Sequence, residues 1–271
     1  MTNFKKVIIT LTIILIILAL IFAFYDLQIS KLLVNRNSGW ANFLECYGMI
    51  PGLIVILSGI FINYSSISKK SDAWSYIKKV IFFLAIAGLL CYLMDVLLSN
   101  LVTEEFFNHS LITFLVISFC ISLIILIILQ IKEPIQNKIL IHYSNTVIGV
   151  AIFGYVFCIQ VVKYFWGRIR FRELNLTFSN FTPWYLPQGI TGFDSFPSGH
   201  AAMGFMLLPL IVLFSNKNSL LRKIVIGLIL IWGIVLALSR VIIGAHFASD
   251  VLFGSAAIIF WYFYFERKEN S

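Results

Sequence analysis

Three short stretches in the second half of the chain carry side chains suited to phosphoryl transfer. Lys163 and Arg170 stand seven residues apart, at and beyond the end of a long apolar run. Pro197-Ser198-Gly199-His200 opens the next apolar run, and Ser239-Arg240 closes the one after, shortly before His246 and Asp250. If the first helix continues, two turns set Lys163 and Arg170 on nearly one face. A proline, a small hydroxyl residue and a glycine make a tight opening to a helix, whose N-terminal amides can cradle a phosphate. His246 and Asp250, at i and i+4, are neighbours on one helical face. A carboxylate there can hold the imidazole Nδ1 proton and leave Nε2 free to attack. Three cations suit the three equatorial oxygens of a transferring phosphoryl group, where electrostatic stabilisation dominates. One histidine can then act as nucleophile and the other as the acid that protonates the leaving oxygen.

These side chains cooperate only if the elements bearing them end on one side of a membrane. The chain has 271 residues, 60% hydrophobic and 12% charged, with a mean hydropathy of +0.96. An ordinary soluble domain has roughly 45–50% apolar and about 25% charged residues. That excludes a water-soluble globular enzyme, a disordered tail and a nucleic-acid-binding module. The net charge of +8 is read as an orientation signal rather than as affinity for nucleic acid. Apolar runs at 7–25, 44–64, 80–98, 111–131, 144–162, 200–215, 224–239 and 247–265 read as helical spans, since a bilayer core takes roughly 20 residues. The sixth and seventh are short. The expected fold is therefore all-α, a polytopic transmembrane helix bundle of about eight spans. The first run exceeds the roughly 7–15-residue core of a signal peptide and is expected to remain as an anchor.

With the N-terminus inside, thirteen of the 20 lysines and arginines fall on the cytoplasmic side and seven outside, as the positive-inside rule requires. Both termini are then cytoplasmic, and all three stretches face the outer side of the cell membrane. Five of the seven outer cations cluster after the fifth and seventh spans, so something besides topology holds them there.

In these stretches the chain strongly resembles the type 2 phosphatidic acid phosphatase superfamily of membrane lipid phosphatases, whose motifs are K-x6-R-P, P-S-G-H and S-R-x5-H-x3-D. Here they read Lys163 to Arg170, Pro197 to His200 and Ser239 to Asp250. The second and third match fully. Phe171 stands where the family usually has a proline, which would push Arg170 out of the α region. The resemblance covers roughly residues 140–265. It implies that Lys163, Arg170, Ser198, Gly199 and Arg240 bind phosphate. It also implies that His246 is the nucleophile forming a phosphohistidine, Asp250 its orienter and His200 the acid/base, with no metal or other cofactor. Independently, the sequence has no carboxylate cluster suited to magnesium and no His/Cys spacing suited to zinc.

The expected organisation is N-terminal transmembrane helices over 1–139, a phosphatase core over 140–265 and a cytoplasmic tail over 266–271. The expected function is an integral-membrane lipid phosphatase, its partners being a phosphorylated lipid and the bilayer, with no nucleic acid. Undecaprenyl diphosphate, phosphatidylglycerol phosphate and phosphatidic acid are all open as substrates. A lipid phosphotransferase using the same site, and a non-enzymatic transporter or binding protein, are the alternatives. Arg168 and Arg172 are candidates for further substrate contacts, to a second phosphate or an acidic head group, or for contact with anionic lipid. Asp95, inside the third span, is a functional candidate by default, or pairs with an outer arginine. Trp40, Trp166 and Trp184 at the outer boundary and Trp74 at the inner one are expected to anchor at the interface. The segment 163–199 is too long for a mere connector, and its aromatic part reads as an interfacial loop. Four scattered cysteines pack as small hydrophobes.

Overall fold

A computed structural model describes residues 3–67, 73–98, 116–124, 134–215 and 218–270, and their regular structure is entirely helical. The helices are α1 (Asn3–Leu33), α2 (Gly39–Tyr47), α3 (Ile50–Ser66), α4 (Ala73–Leu98) and α5 (Lys138–Gly149). α5 runs through a π-helical stretch (Val150–Val161) into α6 (Val162–Trp166), followed by α7 (Gly199–Phe205), α8 (Ser219–Ile242) and α9 (Ala248–Asn270). Residues 116–124 are also helical.

Six helical segments among the described residues are long and apolar enough to cross a membrane: Lys5–Leu33, Gly39–Ser66, Trp74–Met94, Lys138–Glu173, Ser219–Ile242 and Ala248–Arg267. The expected sixth span is a shorter apolar segment, Gly199–Phe214. Its α7 gives way to a 3-10 turn at Leu208–Phe214 with Pro209 near the start, because proline removes the N–H that an α-helix needs there. The expected fourth span, 111–131, lies largely outside the described residues, as does the side chain of Asp95. Most apolar side chains of α1 point outward, Leu20 at 57% and Phe24 at 73% exposure. Water would not tolerate such a face, whereas lipid does.

Short α7 is the hub. It packs against α3, the π-helical stretch, α8 and α9, with Ala201, Ala202 and Met203 buried. A Cβ on Gly204 would lie 3.1 Å from Gly233 Cα on α8, so small residues set this close approach, as between helices in membranes generally. Around the hub, Leu53, Ile56, Tyr143, Val147, Met206 and Ile258 belong to one buried cluster. Two N-terminal helices flank it, α1 against α9 and α2 against α8.

Trp40 and Trp74 are exposed, in keeping with interfacial anchoring. Trp166 and Trp184 are not free anchors. Trp184 packs at a tilt 4.6 Å from Phe253 and donates its Nε1–H to Ala19 O, while Trp166 lies 4.6 Å from Phe196 and donates to Trp184 O. A partly buried indole needs such an acceptor, and these bonds pin the aromatic loop to α1 and α9. All four cysteines are free.

Candidate active site

Lys163 sits on α6, and Gly167 ends that helix in the left-handed region at φ +62°. A Cβ there would lie 2.0 Å from Gly189 O, so only glycine admits both the turn and the returning loop. The helix therefore does not continue to Arg170, and the shared helical face expected for the two cations does not form. They meet by another route. Arg170 is extended, at φ −77° and ψ 152°, outside the α region although Phe171 rather than proline follows it. Ser195 N donates to Arg168 O at 2.9 Å, bringing Asp194 alongside. Arg170 Nη2 lies 2.5 Å from Asp194 Oδ1, and Lys163 Nζ lies 3.7 Å from Asp194 Oδ2. One half-exposed carboxylate thus joins both cations.

Ser198 is the N-cap of α7, its Oγ accepting from Ala201 N at 3.4 Å. Its own backbone N–H donates to Asp250 O at 2.9 Å, so that amide is engaged and only the hydroxyl proton is left for a ligand. The approach is close enough that a Cβ on Gly254 of α9 would lie 2.3 Å from Ser198 O. Gly199, the first residue of α7, is buried beside it. His200 Nε2 lies 3.0 Å from Glu45 O. A carbonyl only accepts, so the partner assigns the proton to Nε2 and leaves Nδ1 as the exchanging atom of the neutral ring.

Arg240, near the end of α8, is 3% exposed. Its Nη2 donates to Glu45 Oε1 at 2.9 Å, and Arg172 Nη1 reaches the same oxygen at 3.0 Å. Arg240 Nε and Nη1 have no hydrogen-bond partner among the described residues. They are buried donors awaiting an acceptor. Arg172 stays at the mouth beside Arg240, whereas Arg168 is fully buried. Its donors reach Asp250, Asp26, Ser249 and Thr182 O. The expectation that Arg168 touches substrate fails for that reason: no face of it is open.

His246 lies in the turn between α8 and α9, not on the helix as expected, and only Asp250 is in the first turn of α9. The four-residue spacing still pairs them, with Nδ1 3.6 Å from Asp250 Oδ2. That is an ion-pair separation rather than a hydrogen bond, and such contacts often tighten only when substrate binds. Asp250 Oδ2 also accepts from Ser195 Oγ at 2.5 Å and Phe247 N at 2.9 Å, while Oδ1 accepts from Arg168 Nη1 at 2.5 Å. Burial holds the His246 imidazole down at about 4, Lys163 and Arg240 adding to the effect while Asp250 opposes it. The ring is therefore neutral near pH 7, the state a nucleophile requires.

His200, Lys163, Arg240 and His246 are near enough to act on one another's charge. The structure thus gathers the three stretches around one locus: a neutral imidazole backed by a carboxylate, three cations and a second imidazole. Sequence reasoning missed Asp26, Glu45, Asp194 and Ser195. Asp26 and Glu45 carried a usable signal, as isolated carboxylates in apolar helices; Asp194 and Ser195 carried none.

Comparison with known proteins gives one match: the PAP2 superfamily model covers residues 144–271. No curated protein and no solved structure matches the chain.

Proposed function

We propose, from the PAP2 superfamily match over residues 144–271 and the phosphoesterase chemistry it implies, that the protein is an integral-membrane lipid phosphatase acting through a phosphohistidine. The observation that carries the reading is the buried, neutral His246, with Asp250 behind it and Lys163, Arg170 and Arg240 in the surrounding motif stretches. In the first step His246 Nε2 attacks phosphorus and the P–O bond to the lipid breaks. The departing oxygen takes a proton from Nδ1 of His200, which must enter this step as the imidazolium, its Nε2–H staying on Glu45 O. The three cations balance charge growing on the equatorial oxygens, as electrostatic preorganisation requires. In the second step water, deprotonated by His200, attacks phosphorus and returns the P–N electron pair to His246.

An apolar body with a phosphate locus at a helix mouth suits a substrate whose tail stays in the bilayer. The surplus of lysine and arginine on the opposite side supports an extracytoplasmic site, cytoplasmic termini and placement in the cell membrane. Arg172, paired with Glu45 beside Arg240, favours a diphosphate or doubly charged head group. Purified protein in micelles, given a panel of phosphorylated lipids, is expected to release phosphate with or without a chelator. No release above a His246→Ala control from any lipid overturns the reading.

A further inference from the structure

Behind the nucleophile lies a buried charge cluster that the two chemical steps do not use. Arg168 Nη1 holds Asp250 Oδ1 at 2.5 Å, and its Nη2 holds Asp26 Oδ2 at 2.9 Å. Arg168, Asp26 and Asp250 are each at most 1% exposed. Ser249 joins the group: its Oγ accepts from Arg168 Nη1 at 2.8 Å and donates to Asp26 Oδ2, while its N–H donates to Asp26 Oδ1 at 3.0 Å. The Arg168 guanidinium also lies 4.1 Å from the centre of the Phe247 ring, next in sequence to the nucleophile.

Each of the four carboxylate oxygens faces an N–H that can only donate. Asp26 accepts from Arg168, Ser249 N and Ser249 Oγ; Asp250 accepts from Arg168, Ser195 Oγ and Phe247 N. A proton on either carboxyl would turn one of these oxygens from acceptor to donor against a fixed N–H, with only a reversed serine hydroxyl to receive it, whereas the ionised pair satisfies every donor. Both are therefore ionised, sharing a single guanidinium, and the cluster carries one net negative charge out of water. A buried charge without a counterion is unfavourable. Its counterion arises during the proposed reaction: once Nε2 carries the phosphoryl group and Nδ1 its proton, the His246 ring is a cation.

Building on the phosphatase reading, the geometry points to Asp26 and Arg168 as positioning residues for catalysis. Arg168 occupies Asp250 Oδ1 and turns Oδ2 toward His246. Asp26, from the first helix and outside the family-matched residues, cancels the charge Arg168 introduces. Asp250 alone with Arg168 would be a neutral pair, a poor partner for a phosphoimidazolium. With Asp26 the cluster keeps its single negative charge where the cation forms.

Counting charge gives a test that packing alone would not pass. The wild-type cluster is −1, Asp26→Asn makes it 0, Arg168→Gln makes it −2, and the double variant returns it to −1. The readouts are phosphohistidine formation and turnover with nitrophenyl phosphate, on purified protein checked for monodisperse elution. Asp26→Asn is expected to lower the phosphorylation rate and kcat by about tenfold with KM within twofold, since Asp26 touches no phosphate ligand. Asp26→Glu should keep most of the rate. The double variant should exceed Asp26→Asn by about threefold or more. A purely structural network predicts the reverse, a double variant no better than the worse single one. That result, or Asp26→Asn phosphorylating as fast as wild type, overturns the assignment. If Asp26→Asn does not fold, Arg168→Gln is compared with the double variant, which must again be the faster. Absence of phosphohistidine in wild type itself would instead remove the phosphatase mechanism on which the assignment rests.

Discussion

Asp194 occupies the donors that an incoming phosphate needs, and Asp194→Asn measures what that occupation is worth. Its carboxylate lies 2.5 Å from Arg170 Nη2 and 3.7 Å from Lys163 Nζ, with 48% of the side chain exposed. Ion pairs this open contribute about 0.2–1 kcal/mol each, so a phosphate that takes over both forfeits about 1 kcal/mol. Should the carboxylate instead remain near the phosphate, repulsion between like charges at about 5 Å in near-aqueous dielectric is of similar size. Either way, neutralising Asp194 should tighten phosphate binding by about 1 kcal/mol, roughly fivefold. Arg170 is expected to stay in place, because Glu173 also holds it, at 3.8 Å from Nη1 and 3.4 Å from its backbone N. The assay is competitive inhibition by inorganic phosphate and orthovanadate in micelles, at low and high salt. Ki should fall about fivefold with kcat within twofold, and the gain should shrink in salt as screening weakens both interactions. A tenfold rise in Ki would refute this reasoning and make Asp194 the residue that aligns the two cations. An unchanged Ki would mean that phosphate never meets them.

The histidines should separate by leaving group: with nitrophenyl phosphate, His200→Ala gives a burst of nitrophenol or a trapped phosphohistidine, because a nitrophenolate hardly needs the roughly 10²–10⁴-fold help of a general acid. His246→Ala gives neither, and a burst from it would exchange the roles. Acid should destabilise wild type more than His246→Gln: the native ring resists protonation down to about 4, so this contribution is complete above about pH 6.5 and is lost as pH falls toward 4, on the order of 3 kcal/mol in all. Parallel melting curves for the two proteins across that window would contradict the burial of a neutral ring. Tyr185, 49% exposed on the aromatic loop, should react as Tyr185→Cys with an impermeant maleimide on intact cells lacking the native cysteines; reaction only after permeabilisation would reverse the orientation.

The parts visible from sequence were those whose partners lie close along the chain or whose pattern repeats. Uniform apolar runs gave the helical class, and the His246–Asp250 spacing survives although the helix starts after His246. Gly167 is a readable stop signal, and the helical face that Lys163 and Arg170 would share only if the helix continued gives way to a meeting on Asp194. The rest depends on partners distant in sequence. Arg168 meets Asp26 across 142 residues, and Arg240 meets Glu45 across 195. No local propensity encodes such pairs, and a substrate-contacting Arg168 was a reasonable expectation for any cation among phosphate ligands. Only the packing of α1 against α9 and of α2 against α8 shows that the N-terminal helices complete the site.

The bond from Asp26 to Arg168 also has a history in time. At about 5–20 residues per second, a ribosome takes roughly 7–30 s to make the 142 residues between them. Throughout that interval the first helix carries a carboxylate with no guanidinium to meet it, and Ser249 is made later still. An acidic side chain in an inserting helix is unfavourable by as much as about 2.5–3.5 kcal/mol at the bilayer centre and less toward its edge. The newborn helix must therefore sit shallow, stay protonated or linger at the insertion machinery. The first helix to be made is among the last to dock, and any chain cut short before Arg168 leaves an unsatisfied acid in that helix.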